Sequence, residues 1–112
     1  MIAMDTFHAL AEPTRRKIVE DLARYGQLSA TEICDQFPVS PQAISQHLKV
    51  LREAQLVRVE KRAQQRIYRI NLEAMVELEM WVEQVRGLWS QRFDALGEVL
   101  EIEKKRMEGG GE

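Results

Sequence analysis

Gln42, Ser45, Gln46 and Lys49 fall within about 100° of one another when the segment that starts at Pro41 is wound as an α-helix. Ile44, Leu48 and Leu51 fall on the opposite side. The polar side carries two amides, a hydroxyl and one cation, with no acid until Glu53. Nothing in that set is a nucleophile paired with a base, so the chemistry it offers is recognition rather than bond making. A glutamine amide holds a donor and an acceptor side by side, which matches the exposed edge of adenine. A hydroxyl suits either kind of partner, and an ammonium suits guanine or phosphate. A merely solvated helix face would also be polar, so the position of this face in the chain has to decide between the two readings.

The surrounding elements supply that position. Ser29-Ala30-Thr31-Glu32 is a capping box that predicts a short helix from about Ala30 to Gln36. Phe37-Pro38-Val39 breaks it. Ser40 as N-cap and Pro41 as first helical residue then predict a second helix from Pro41 to about Ala54. Two short helices at this spacing make a helix-turn-helix, whose second helix presents its N-terminal end to base edges. Upstream, helices are expected over Met4–Ala11 and from Pro13, the latter with Ile18, Val19 and Leu22 as its buried stripe and Gly26 as its stop. Downstream, Leu56–Lys61 and Arg66–Ile70 alternate as the strands of a hairpin, with Val57, Val59, Tyr68 and Ile70 inward. The residues between them, Arg62–Arg66, form a polar loop with a cation at each end. The fold class is therefore mainly α with a small β-hairpin, a winged helix-turn-helix. The wing tip would lie over phosphate or the minor groove.

Charge is distributed accordingly. The chain of 112 residues carries a net charge of −2, which argues for no partner by itself. Residues 41–70 hold seven basic and two acidic side chains, while the segments before and after carry net charges of −2 and −5. A basic block between acidic flanks fits one surface that meets phosphates. There is no signal peptide at the start, no run of roughly 20 apolar residues, and one cysteine, so a cytoplasmic protein with no membrane partner and no disulfides is expected. A phosphate-cradling glycine loop and a nucleophile motif are both missing, which argues against an enzyme.

The last helix, capped by Asn71 and running to about Met107, is the longest. Leu78, Trp81, Val82, Val85, Leu88, Trp89, Phe93, Leu96, Val99 and Leu100 share one stripe. A core of this size cannot cover so long an apolar face, and a second copy in a twofold dimer is the economical cover. The N- and C-terminal helices are expected to form that dimer interface, with Phe7, Leu78, Trp81, Val85, Leu88, Trp89, Phe93 and Leu96 in it; packing against the first helix is expected as well. The two tryptophans could also border a small apolar ligand, but core packing explains them as well. Residues 1–107 read as one domain, and Glu108–Glu112, EGGGE, as a disordered tail.

Two segments resemble the ArsR family of winged-helix repressors. Leu10-Ala11-Glu12-Pro13-Thr14-Arg15-Arg16-Lys17-Ile18 is similar to its L-x-D/E-P-T-R-x-x-I motif, and Ile44–Val57, ISQHLKVLREAQLV, to its S-x-H-L-x-x-L-x-x-A-G-L-V signature. Trp81–Glu101 resembles the ending of the metal-independent, SdpR-like branch. The resemblance covers about residues 4–100 and implies a DNA-binding repressor. Gln55 stands where the family has glycine; a residue at that point should adopt positive φ at a cost of about 1 kcal/mol, or the turn must relax. The family's Cys-x-Cys metal positions correspond to Ser29 and Thr31, Cys34 is alone, and the final helix lacks histidine, so no metal and no cofactor are expected.

The residues expected to meet double-stranded DNA are Ser40, Gln42, Ala43, Ser45, Gln46, His47 and Lys49 on the second helix of the motif, with Arg62, Gln64, Gln65 and Arg66 on the wing. Gln42, Ser45 and Gln46 would read bases and the polar remainder would hold the backbone. His47 either ties the helix to a neighbour or contacts phosphate; phosphate is the reading adopted. His8 is expected on the surface or the dimer face. A protein-docking winged helix is the competing class, and it should show apolar residues on the outward face, where this chain is polar. A redox role for Cys34 and the nature of any small-molecule or protein inducer stay open.

Overall fold

The computed structural model describes residues 4–110. The side chains of Met4, Phe93, Ala95 and the last three of these residues are not described. The element order is α1 (Met4–Ala11), α2 (Pro13–Tyr25), β1 (Leu28–Ser29), α3 (Ala30–Asp35), α4 (Pro41–Glu53), β2 (Val57–Arg62), β3 (Gln65–Ile70) and α5 (Leu72–Gly110). The chain divides into two compact units, one ending at Leu78 and the other beginning at Glu79.

In the first unit, local chemistry sets the helix boundaries. Glu12 caps α2 by accepting the Arg15 N–H at 3.0 Å, and Gly26, at φ 87°, ends it by donating to the Leu22 carbonyl. The capping box forms in both directions: Glu32 N–H to Ser29 Oγ at 3.1 Å and Ser29 N–H to Glu32 Oε1 at 2.9 Å. Ser40 Oγ accepts from the Ala43 N–H at 3.1 Å and opens α4. Ile18, Leu22, Ile33, Ile44, Leu51 and Leu56 are fully buried and pack with Leu48, Val57 and Tyr68 into one core, against which Ala74 and Met75 of α5 also rest. Full burial of each such aliphatic side chain contributes roughly 1.5–3 kcal/mol.

The sheet departs from the expected hairpin in two ways. It has three strands in the order β1-β3-β2, because Leu28 and Ser29 pair antiparallel with Tyr68 and Ile67. Ile67, on the face opposite Tyr68, is buried as well, while Val59 and Ile70 are only partly buried. The wing loop is also shorter than Arg62–Arg66. Arg62 pairs with Gln65, leaving a two-residue turn, Ala63-Gln64. Ala63 takes φ 57°, the sign that the first position of a type II′ hairpin turn requires and that glycine usually supplies.

The corner between α4 and β2 does not relax around Gln55. Gln55 sits at φ 61°, its N–H donates to the Arg52 carbonyl at 2.9 Å, and the Leu56 N–H donates to Leu51 at 3.0 Å. Those two bonds are a Schellman motif closed without glycine. Asn71 occupies the N-cap position of α5, with its carbonyl accepting from the Met75 N–H. Its side chain does not cap the helix as expected. The amide instead donates to the Gln55 carbonyl at 2.8 Å and accepts from Arg58 Nε at 3.2 Å.

The second unit is the remainder of α5. Val82, Val85, Leu88, Trp89, Leu96, Val99 and Leu100 are all exposed in the single chain. Glu83 and Arg86 pair one turn apart at 2.6 Å, and Arg86 holds the Glu83 carboxyl below its ordinary pKa. The tail expected at Glu108–Glu112 falls on the last residues of α5, whose side chains are not described, and on residues 111–112, which lie outside the described residues. None of the described helices is long and apolar enough to cross a membrane.

Candidate nucleic-acid interface

The structure brings Gln42, Ser45, Gln46 and Lys49 together on the exposed face of α4, while Ile44, Leu48 and Leu51 on the other side anchor that helix in the core. The first turn of α4 holds no acidic residue, so the partial positive charge of the helix N-terminus is not neutralised locally. Phe37, half-buried against the core, fixes the turn between α3 and α4. Ser40 is exposed, but its hydroxyl is committed to the cap. Ala43 lies half-buried at the flank of the polar face.

His47 sits on the same flank and is drawn inward. Its Nδ1 is 3.3 Å from Arg15 Nη1 and 3.9 Å from Glu12 Oε2, and its side chain is 20% exposed. This is the contact with a neighbouring helix that the sequence left open beside a phosphate role. Arg15 lies in one of the two motifs noted in the sequence, but its reach to a residue 32 positions away could not be read from spacing.

On the wing, Arg62, Gln64, Gln65 and Arg66 are all exposed. Arg62 donates to Glu60 Oε2 at 3.0 Å, so part of its charge is already answered. The strand register adds a residue that the sequence reading missed. Lys61 pairs directly with Arg66, and Arg58 with Arg69. Like charges at directly opposed positions repel unless an anion lies between or over them. Among the described residues, no carboxylate pairs with Lys49, Lys61, Arg66 or Arg69, whereas Arg58 is held by Asn71 and stands 3.8 Å from Glu73. Only knowledge of the register could have singled out Lys61.

The positions that would carry a thiolate pair hold Ser29, buried and engaged in its capping box, and Thr31. Neither hydroxyl is a soft metal ligand. Among the described residues, no three His, Cys, Asp or Glu side chains come together in a way that could hold a metal ion.

A helix-turn-helix with a polar, acid-free leading face and a cationic hairpin beside it defines a DNA-binding transcriptional regulator of the winged-helix class. Residues 10–60 match the helix-turn-helix domain family. The HTH-type transcriptional regulator Rv2034 of Mycobacterium tuberculosis is 37% identical over 97 residues, spanning 82% of this chain and 89% of that protein. The transcriptional repressor SdpR of Bacillus subtilis is 32% identical, spanning 70% of this chain and 86% of its own. Among solved structures, an ArsR-like transcriptional regulator from Rhodococcus sp. RHA1 superposes with a TM-score of 0.73 at 30% identity, covering 87% of this chain and 88% of that one. The chain belongs to the ArsR family of helix-turn-helix transcriptional regulators, a family that regulates rather than catalyses.

Proposed function

We propose that the protein is a transcriptional repressor that works as a homodimer on a near-palindromic operator and needs no metal to do so. Two α4 helices would enter successive major grooves about 34 Å apart. Gln42, Ser45 and Gln46 would read bases. Lys49, Arg62, Gln64, Gln65 and Arg66 would hold the phosphates, and Lys61 joins them on the strength of its position opposite Arg66. Ser40 and Ala43 would lie against the backbone at the start of the helix, and His47 at its flank. Bound over a promoter, the dimer would block polymerase.

The observation that carries this reading is the exposed polar face of α4, free of acid in its first turn and buried on its other side. The relative named as a repressor supports the direction of regulation. The homodimer is supported by the apolar face of α5, where Leu88 is 61% and Trp89 64% exposed in one copy. Rings left so open to water favour association with a like surface. Metal independence is supported by the hydroxyl residues at Ser29 and Thr31.

The test is selection of binding sites from random duplex DNA by the purified protein, with and without chelator, alongside sedimentation. A two-half-site consensus, unchanged by chelator and bound by a dimer, is the expected result. No enrichment, or enrichment that chelator abolishes, would overturn it.

A further inference from the structure

We propose that Arg15 is a positioning residue for DNA recognition: by tying the end of α1 to His47 it fixes both the seat of α4 and the tautomer of His47, leaving the imidazole Nε2–H as the edge offered to the DNA backbone. The proposal rests on the reading of α4 as the recognition helix.

The geometry starts at the end of α1. The last four carbonyls of a helix have no partner within it. Arg15 answers two of them, with Nε donating to the Ala9 carbonyl at 2.7 Å and Nη2 to the His8 carbonyl at 3.2 Å. Its own N–H is held by Glu12 Oε2 at 3.0 Å. Fixed at both ends, the planar fork has one nitrogen left, and Nη1 stands 3.3 Å from His47 Nδ1. One side chain on α2 therefore touches both α1 and α4.

The chemistry of the pair dictates the rest. A guanidinium has five donors and no acceptor, so in this contact Nδ1 must present its lone pair. The ring proton then sits on Nε2, the nitrogen not engaged by Arg15, on a side chain that is 20% exposed. Under this proposal the two readings of His47 need not exclude each other: one nitrogen ties the helix and the other is left as a donor. His47 follows Gln46 directly, so a rotation of α4 that broke the tie would also turn Gln42 and Gln46 away from their bases. Lysine could not replace Arg15, because a point ammonium lacks the flat fork that spans three acceptors.

The experiment uses the full chain labelled with nitrogen-15. Long-range proton–nitrogen spectra report which imidazole nitrogen carries the proton, and His8→Gln assigns the two histidines. In parallel, fluorescence anisotropy measures binding to a duplex selected from random DNA and to an unselected one, across a salt series. Wild type should show an unprotonated Nδ1 on His47. Arg15→Met should mix the tautomers and weaken binding to the selected duplex roughly tenfold. It should leave the slope of log affinity against log salt unchanged, because Arg15 neutralises no phosphate. Combined with His47→Phe, it should add little to the larger single loss.

A protonated Nδ1 in wild type overturns the proposal. So does a slope that falls by about one in Arg15→Met, which would mark a direct phosphate contact, and so do additive losses. Should Arg15→Met not fold, as circular dichroism would reveal, Arg15→Lys is read by the same measurements. Equal wild-type binding to selected and unselected duplexes would instead defeat the reading of α4, and the imidazole spectrum distinguishes that failure from this one.

Discussion

The side-chain amide of Asn71 donates to the carbonyl of Gln55 at 2.8 Å, across the corner where α4 gives way to β2. Gln55 is held there at φ 61°, in the left-handed region that costs a side chain about 1–2 kcal/mol. The Schellman bonds and the Asn71 amide together over-determine that conformation. Gln55→Gly should therefore raise stability by about 0.5–1 kcal/mol, the relief of strain less the added freedom of the unfolded chain. Asn71→Ala should lower it by roughly 1–3 kcal/mol, since the Gln55 carbonyl and Arg58 both lose a partner. Urea unfolding checks both, through midpoints that move at constant slope. A destabilised glycine variant would show that Gln55 is not strained.

Removal of one recognition amide should cost specificity more than affinity for DNA in general. Gln42→Ala and Gln46→Ala are each expected to weaken binding to the selected operator by about 1–3 kcal/mol and to relax preference at one base position. Binding of every single-base operator variant checks this. Equal losses on operator and random duplex would remove these glutamines from base reading.

The opposed cations of the wing should behave differently. Lys61→Gln and Arg66→Ala are expected to weaken binding to all duplexes alike and to reduce the salt slope by about one each. Because Lys61 and Arg66 face each other across the strands, either substitution should also leave the free protein no less stable, and a thermal melt reads that directly. An unchanged salt slope would place the wing off the DNA.

Glu12 gives the fold a pH-dependent component. Burial alone would raise its carboxyl, but the Arg15 N–H, the neighbouring His47 ring and hydrogen bonds from Thr14 outweigh that and hold its pKa below the ordinary value. A carboxyl lowered in the folded state stabilises the fold above its unfolded pKa, and that stabilisation is lost as pH falls through the folded value. Glu12→Gln keeps an acceptor for the cap and removes the charge. Wild type should exceed it in stability near neutrality and converge with it in acid. Parallel stability curves across the acid range would refute the assignment.

The apolar face of α5 predicts the outcome of a charge inserted into it. Leu88→Glu with Trp89→Glu should give a folded monomer by sedimentation, with operator affinity reduced far more than affinity for a single half-site. A doubly substituted protein that still sediments as a dimer would move the interface elsewhere.

Much of this molecule was readable along the chain, because helix ends are set by groups within a few residues of one another. The box at Ser29 and Glu32, the Ser40-Pro41 start of α4 and the stop at Gly26 are all such local decisions, whereas at Gln55 the choice between a positive φ and a relaxed turn stayed open until the fold closed it. The polar and apolar sides of α4 follow equally from helical period. What the chain alone did not reveal depends on partners distant in sequence. The pairing of Leu28 and Ser29 with Tyr68 and Ile67 is too short to show as a strand and hides beneath a capping signal. The two-residue wing turn needs a positive φ that Ala63 does not advertise, and it in turn sets Lys61 against Arg66. The use of Asn71 as a brace rather than a cap, and the seat of His47 against Arg15, exist only once α1, α2, α4 and the wing have packed. Hydrogen bonds between neighbours in sequence are written in residue types at fixed spacings, whereas those between distant segments depend on where the core brings them together.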